Sequence, residues 1–178
     1  MSRLLTCPVP ENINPLSPNG FMFSIARIPE VTYFCQEVSI PTVSLATVEQ
    51  GSPFARIPLP GDTLDFGELN VQFLVDSQMQ NYKALFNWIR GLGFPQNNEQ
   101  YTQQVTNSYS MNENAASFSD ATLTALNNKN SPAGTILFKD CVITSLNSIT
   151  FTSTASDVQY IVGNASFRYT YFTFEETV

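Results

Sequence analysis

The chain contains no histidine, and only 13% of its 178 residues are charged, about half the usual share. Without imidazole, a serine or cysteine nucleophile lacks its usual base, and a zinc site lacks cysteine's commonest partner. Cysteine is scarce as well: Cys7, Cys35 and Cys141 are odd in number, far apart, and form no C-x-x-C pair. Cys35 and Cys141 are expected in strands, as buried small hydrophobes. The glycines are isolated, so no phosphate-cradling loop is present. Asp62, Asp65, Glu68 and Asp76 are near enough in sequence to suggest a glycosidase pair. Their positions explain them otherwise, Asp62 as a turn residue and Asp76 as a pre-helix cap. Glu175-Glu176 reads as a solvated strand end. No catalytic residue, metal ligand or cofactor site is expected, and the chain is read as a non-enzyme.

Positive charge is also thin. Fifteen acidic residues face eight basic ones, a net charge of -7. The cations are scattered at Arg3, Arg27, Arg56, Lys83, Arg90, Lys129, Lys139 and Arg168. A nucleic-acid interface needs clustered Lys and Arg to replace phosphate counterions, so ordinary DNA binding is disfavoured. Acidity is compatible with a conduit through which a polyanion slides without adhering, and equally with simple solubility. No stretch approaches the length of a membrane span. The apolar run in Met1-Ser-Arg-Leu-Leu-Thr-Cys-Pro8 is too short for a secretory signal, so synthesis in a reducing cytosol is expected.

What is present is apolar and neutral polar. A 43% hydrophobic fraction over 178 residues gives one domain with a real core. Asn, Gln, Ser and Thr take the place of missing charges, which suits burial against neighbouring subunits or a neutral-surfaced monomer. Residues 1–20 carry Pro8, Pro10, Pro15 and Pro18 and read as an extended arm. Strands are expected over 21–28, 32–38 and 43–49, followed by a loop or irregular hairpin tip over 50–60. That tip presents Phe54, Arg56 and Ile57.

Pro60-Gly61-Asp62 has turn chemistry. Leu69, Val71, Phe73 and Val75 then alternate with Asn70, Gln72 and Leu74, the period of a strand with one buried face. Ser77 and Gln80 have the spacing of a capping box, and Met79, Tyr82, Phe86, Ile89 and Leu92 form an apolar stripe. A helix over about 78–92 follows, ended by Gly91, Gly93 and Pro95, with Tyr82, Phe86, Ile89 and the stripe-edge Trp88 expected in the core. Residues 96–133 are a polar insert, either a flexible excursion or a segment ordered by subunit contact. Within it, Ser119 to Leu126 could form a short helix, since Leu123 and Leu126 are three apart. Strands over Ile136–Ile143 and Ser166–Phe174 close the chain. The fold expected is a mainly antiparallel β-sandwich or flattened barrel with one packed helix, as a single domain over 21–178.

The order of these segments resembles the tail tube proteins of contractile-tailed bacteriophages. The family's phrases fall on Phe21 to Ile25, Ile40-Pro41, Pro60 to Asp76, Asn81-Tyr82 with Trp88, and Phe167 to Phe174. The resemblance covers roughly residues 19–95 and 134–176. It implies a structural virion protein whose protomers form hexameric rings, stacked into a tube inside the sheath and lining the DNA-ejection channel. It also implies the sheath and baseplate or neck proteins as partners, and phage DNA passing without specific binding. On this reading Asp65, Glu68, Asn70 and Gln72 face the channel, and Phe54, Arg56 and Ile57 contact the next ring. The same fold serves single-ring baseplate initiators and neck terminators, which remain an alternative. A carbohydrate-binding β-sandwich is a more distant one, since seven Tyr, fourteen Phe and one Trp could build a stacking platform. Size separates these classes: a small defined species for a lectin-like module, a ring or polymer for a tube protein.

Overall fold

Alternation of apolar and polar side chains builds most of the molecule. In a computed structural model, residues 16–51, 54–93, 96, 97, 99, 102, 117–153 and 160–175 are described. The elements are β1 (Phe21–Ile25), α1 (Glu30–Phe34), β2 (Cys35–Ser39), β3 (Val43–Gly51), β4 (Arg56–Phe66) and β5 (Leu69–Leu74). After them come α2 (Gln80–Gly93), β6 (Ser119–Leu126), β7 (Pro132–Leu146), β8 (Val162–Arg168) and β9 (Tyr171–Glu175). One sheet runs β1-β6-β7-β8-β5-β2 with β9 also on β7, while β3 and β4 form a separate hairpin. All these pairings are antiparallel.

The fifteen-residue β7 belongs to two halves of the sheet. Its N-terminal part pairs β6 and β9, and Val142–Leu146 pairs β8. Between them Asp140 adopts φ 55 and the β6 register shifts opposite it. Asp120 holds this corner: one carboxylate oxygen accepts from Lys139 Nζ, the other from the Asp140 N–H at 3.3 Å. A bulge of this kind lets one strand serve two sheet directions.

Both halves turn apolar faces to a common core. Phe23, Ile25 and Phe138 come from one, Leu69, Val71, Phe73 and Phe167 from the other, and Leu85 and Trp88 from α2. Gly163 pairs with Phe73, and a Cβ there would stand 2.8 Å from the ring, so only glycine leaves it room. The architecture is the antiparallel β fold with one packed helix that the sequence predicts, in its open form. β1 and β2, at the two ends of the strand order, are not paired with each other, so no barrel closes.

Several expectations are corrected. Residues 32–34 belong to the one-turn α1, so the strand expected over 32–38 begins at Cys35. The loop expected over 50–60 shrinks to the few residues between Gly51, which ends β3, and Arg56, which begins β4. Pro60-Gly61-Asp62 is not a turn but lies inside β4, where Leu45 pairs Leu64 and Thr47 pairs Pro60. The extra residues form a bulge, and the Gly61 Cβ position is 2.5 Å from Ala46 O, too close for any side chain. Pro58 and Pro60 fit because, among the described residues, β4 pairs only β3 and its other edge carries no ladder bonds. Ser119–Leu126 is strand, not helix: buried Ser119, Ala121 and Leu123 alternate with Asp120 and Thr122. The segment read as an insert over 96–133 thus contains β6 and the first residues of β7. The closing strand is two strands, because the chain crosses from one half-sheet to the other at Tyr169-Thr170.

α2 also starts differently. Ser77 Oγ meets Asp76 Oδ1 at 3.4 Å and the Gln80 amide meets Gln78, so no capping box forms. The buried Asn81 organises the turn instead. Its Nδ2 donates to Leu74 O at 2.7 Å, and its Oδ1 accepts from the N–H groups of Asp76 and Tyr82 at 3.2 and 2.8 Å. Asn81→Ala strands these buried groups, and should lower stability by about 2 kcal/mol in urea unfolding. No change in the midpoint would show that the amide is dispensable.

The buried line of the helix is Asn81, Leu85, Trp88 and Gly91, with Tyr82, Ile89 and Leu92 partly buried beside it. Phe86, expected in the core, is 50% exposed. An asparagine and a glycine occupy positions on the inward line, so weighting apolar residues alone rotates the stripe away from it.

Candidate functional site

Two surfaces stand apart from the core. The first is the outer face of β2, β5 and β8. Pairing aligns Ser39, Asn70 and Ser166 in one row, and Glu37, Gln72 and Asn164 in the next. With Asn147 these residues line a shallow groove. Ser166 Oγ donates to Asn70 Oδ1 at 2.8 Å. An exposed ion pair between Arg168 Nε and Glu68 Oε1, at 3.2 Å, extends the face. Amides and hydroxyls dominate, and the carboxylates of Glu37 and Glu68 outnumber the one guanidinium.

Of the residues expected to face a channel, Glu68, Asn70 and Gln72 share this face. Asp65 does not: it lies in β4 opposite Ser44, on the hairpin. The link through Gly67 separates the two strands, which sequence proximity concealed. Glu37, Ser39, Asn164 and Ser166 join the face and were missed, because only non-local pairing brings β2 and β8 beside β5. The alternation in Val162–Arg168 was the available signal for β8.

The second surface is the β3–β4 hairpin. Val43, Leu45 and Leu64 are exposed near its base, and Val48, Ile57 and Leu59 nearer its tip. The period of two places these groups on opposite faces. Phe54 at the tip is 99% exposed. Arg56 pairs with Glu49 at 3.1 Å, both in solvent. Phe66 anchors the base against Tyr169 and Phe172, with ring centroids 6.0 and 5.6 Å apart. A two-stranded ribbon is marginal by itself, and one with six exposed aliphatics is built to be covered.

The chemistry elsewhere is that of packing. Cys141 is buried in the core and Cys35 is half-buried, while Cys7 lies outside the described residues. Burial pushes the Cys35 thiol up to about 11 and Cys141 to about 12, from 9.0. Burial also raises Tyr169. Each folded group holds its proton more tightly than the unfolded chain does. Their stabilising contribution is therefore complete below about pH 9 and is lost as pH rises through the raised values. The urea midpoint should fall as pH rises above about 9; a rise there would contradict these burials. No described helix is long and apolar enough to cross a membrane.

A family model described as phage tail tube protein matches residues 11–175. No curated protein sequence matches the chain. Among solved structures, the tube-terminating cap of the anti-feeding prophage aligns with TM-score 0.65 at 14% identity, over 98% of this chain and 100% of that one. A chain of the PVC extracellular contractile injection system, from its sheath-tube complex in the extended state, aligns with TM-score 0.62 at 17% identity, over 93% and 94%. A chain of the PVC sheath/tube terminator aligns with TM-score 0.59 at 19% identity, over 97% and 99%. At these identities the likeness is one of fold.

Proposed function

Because this chain belongs to the phage tail tube protein family, we propose that it is the repeating protomer of a tail tube. Six copies close into a ring, and the polar face of β2, β5 and β8 lines the channel. The observation that supports this most is the arrangement of free edges. In the half-sheet β7-β8-β5-β2, the C-terminal part of β7 and the whole of β2 each pair on one side only among the described residues. One edge of a protomer can therefore extend the sheet of the next, a head-to-tail contact that closes when the rotation is a whole fraction of a turn.

Each edge strand also carries a bulge. The register shifts between Cys35 and Glu37 in β2, and between Ile143 and Ser145 in β7. Thr144 Oγ1 donates to Ser166 O at 3.1 Å beside the second shift. Bulged edges resist indiscriminate strand pairing, and ring closure removes them from solvent.

The channel wall would then present amides and hydroxyls with a slight excess of carboxylate. DNA could pass it without releasing counterions, hence without adhering. The sheath would surround the tube, and the baseplate or neck would bound it. A single terminating ring is the second reading, since the same fold occurs in a tube-terminating cap. Electron microscopy of the purified protein should show rings or tubes with a central channel. A small globular species at every concentration would contradict assembly. Copy number per particle separates the readings, many rings for the tube and one for a terminator.

A further inference from the structure

The chain holds a single Asn-Gly pair, Asn19-Gly20. Asn19 is exposed, in the turn at Pro18-Asn19 that leads into β1. Packing keeps the next residue small: a Cβ on Gly20 would stand 3.2 Å from both the Cβ and the carbonyl oxygen of Leu126. The Gly20 carbonyl accepts from the Leu126 N–H at 2.8 Å, one step ahead of the first β1–β6 pair, Phe21 with Ala125. The Gly20 N–H, by contrast, has no hydrogen-bond partner among the described residues. A glycine nitrogen, with no side chain beside it, is the backbone group least hindered from reaching the amide of the preceding asparagine.

The fold holds other asparagines back. In the β6–β7 turn the residues following Asn128 and Asn130 are Lys129 and Ser131. Both of their N–H groups donate to Asn127 Oδ1, at 2.8 and 3.0 Å, so the nitrogen that would attack is occupied in each case. Asn70 and Asn164 lie in paired strands and Asn87 in α2, where the following backbone nitrogen belongs to regular structure. Asn19 therefore combines an exposed amide, a small neighbour and an unengaged nitrogen.

We propose that Asn19 is a site of spontaneous modification, an intramolecular deamidation with water as the only co-reactant. The Gly20 nitrogen attacks Asn19 Cγ and forms a C–N bond. The bond from Cγ to the side-chain nitrogen breaks, and that nitrogen leaves as ammonia, carrying the proton given up by Gly20. Water then opens the cyclic imide. Attack at Cγ gives aspartate, while attack at the backbone carbonyl carbon gives isoaspartate, in which the chain runs through the former side chain. Nothing is oxidised or reduced. Each product adds one negative charge, and isoaspartate also inserts a methylene into the backbone directly ahead of the Gly20–Leu126 bond. The change falls at the junction between the first nineteen residues and β1. It does not depend on the channel assignment, and a chain that never assembles would show it equally.

The test incubates the full chain at mildly alkaline pH and follows it by isoelectric focusing and by peptide mapping with mass spectrometry. An acidic form shifted by one charge should accumulate, with aspartate and isoaspartate at position 19 and with Asn128 and Asn130 intact. Asn19→Gln should abolish that form, because the longer side chain closes a larger ring more slowly. Exposure of the position should leave the unfolding midpoint of this variant unchanged. In the chain unfolded by guanidinium, Asn130 should react as well, since unfolding releases the Ser131 N–H. An Asn19 left intact by the incubation would overturn the proposal. So would an acidic form that persists at full yield in Asn19→Gln, or modification of Asn128 or Asn130 ahead of Asn19 in the folded chain.

Discussion

Trp88→Ala should destabilise the protein by about 3–5 kcal/mol, the largest effect expected of any single substitution considered for it. The ring is 2% exposed and packs against Phe167. Truncation removes its transfer free energy and leaves a cavity that the surrounding strands cannot close. It also removes the Nε1 donor to Ser117 O, at 3.3 Å, two residues ahead of β6. Above the ring, the Arg27 guanidinium lies 5.5 Å from the centroid and would lose its cation-π partner. Burial already holds the Arg27 pKa below its usual value. Circular dichroism is the proper readout, because Trp88 is the chain's only tryptophan and the variant loses its fluorescence probe. Phe86→Ala provides the contrast: with half of its surface in solvent, it should change stability by less than about 1 kcal/mol. Equal losses at the two positions would contradict the orientation of α2.

Phe54→Ser with Arg56→Glu should abolish stacking while leaving the protomer folded. Phe54 touches nothing that burial could protect, and the Arg56–Glu49 pair is solvent-exposed on both sides. Exposed ion pairs contribute about 0–1 kcal/mol, so the unfolding midpoint should barely move. Assembly is another matter. An aromatic at a projecting tip, with Ile57 and an arginine beside it, has the composition of an interface anchor. The double change removes the anchor and sets a second carboxylate against Glu49 in place of a matched pair. Rings without tubes in electron micrographs are the expected outcome. Normal tubes would remove the hairpin from the stacking contact, and a misfolded protomer would make it part of the core.

How much of this was legible in the sequence depends on how locally each feature is encoded. β5 and α2 could be read because Leu69, Val71 and Phe73 alternate cleanly and a helical spacing follows within a few residues. β6 was obscured because its buried face uses Ser119 and Ala121, which carry little hydropathy, so two leucines three apart suggested a helix. The Pro60-Gly61-Asp62 signal was real, but backbone permissiveness serves a bulge as well as a turn, and only the pairing with β3 decides. Asn81 gave no sign of its role, since a buried side-chain amide is defined by the carbonyl and N–H groups folded around it. The polar face was half legible. Asn70 and Gln72 follow from the period of β5, whereas Ser39, Asn164 and Ser166 depend on pairings with strands distant in the chain. Asp65 was misplaced for the same reason, because a strand boundary intervenes between it and Glu68.

The central claim is the orientation of the protomer about a channel, and a cryo-EM map of the assembled ring at side-chain resolution tests it most directly. The account predicts Asn70, Gln72, Asn164 and Ser166 facing the axis, β2 of each protomer beside β7 of the next, and α2 on the outer wall. A channel lined by α2, or by a predominance of Lys and Arg, would contradict it.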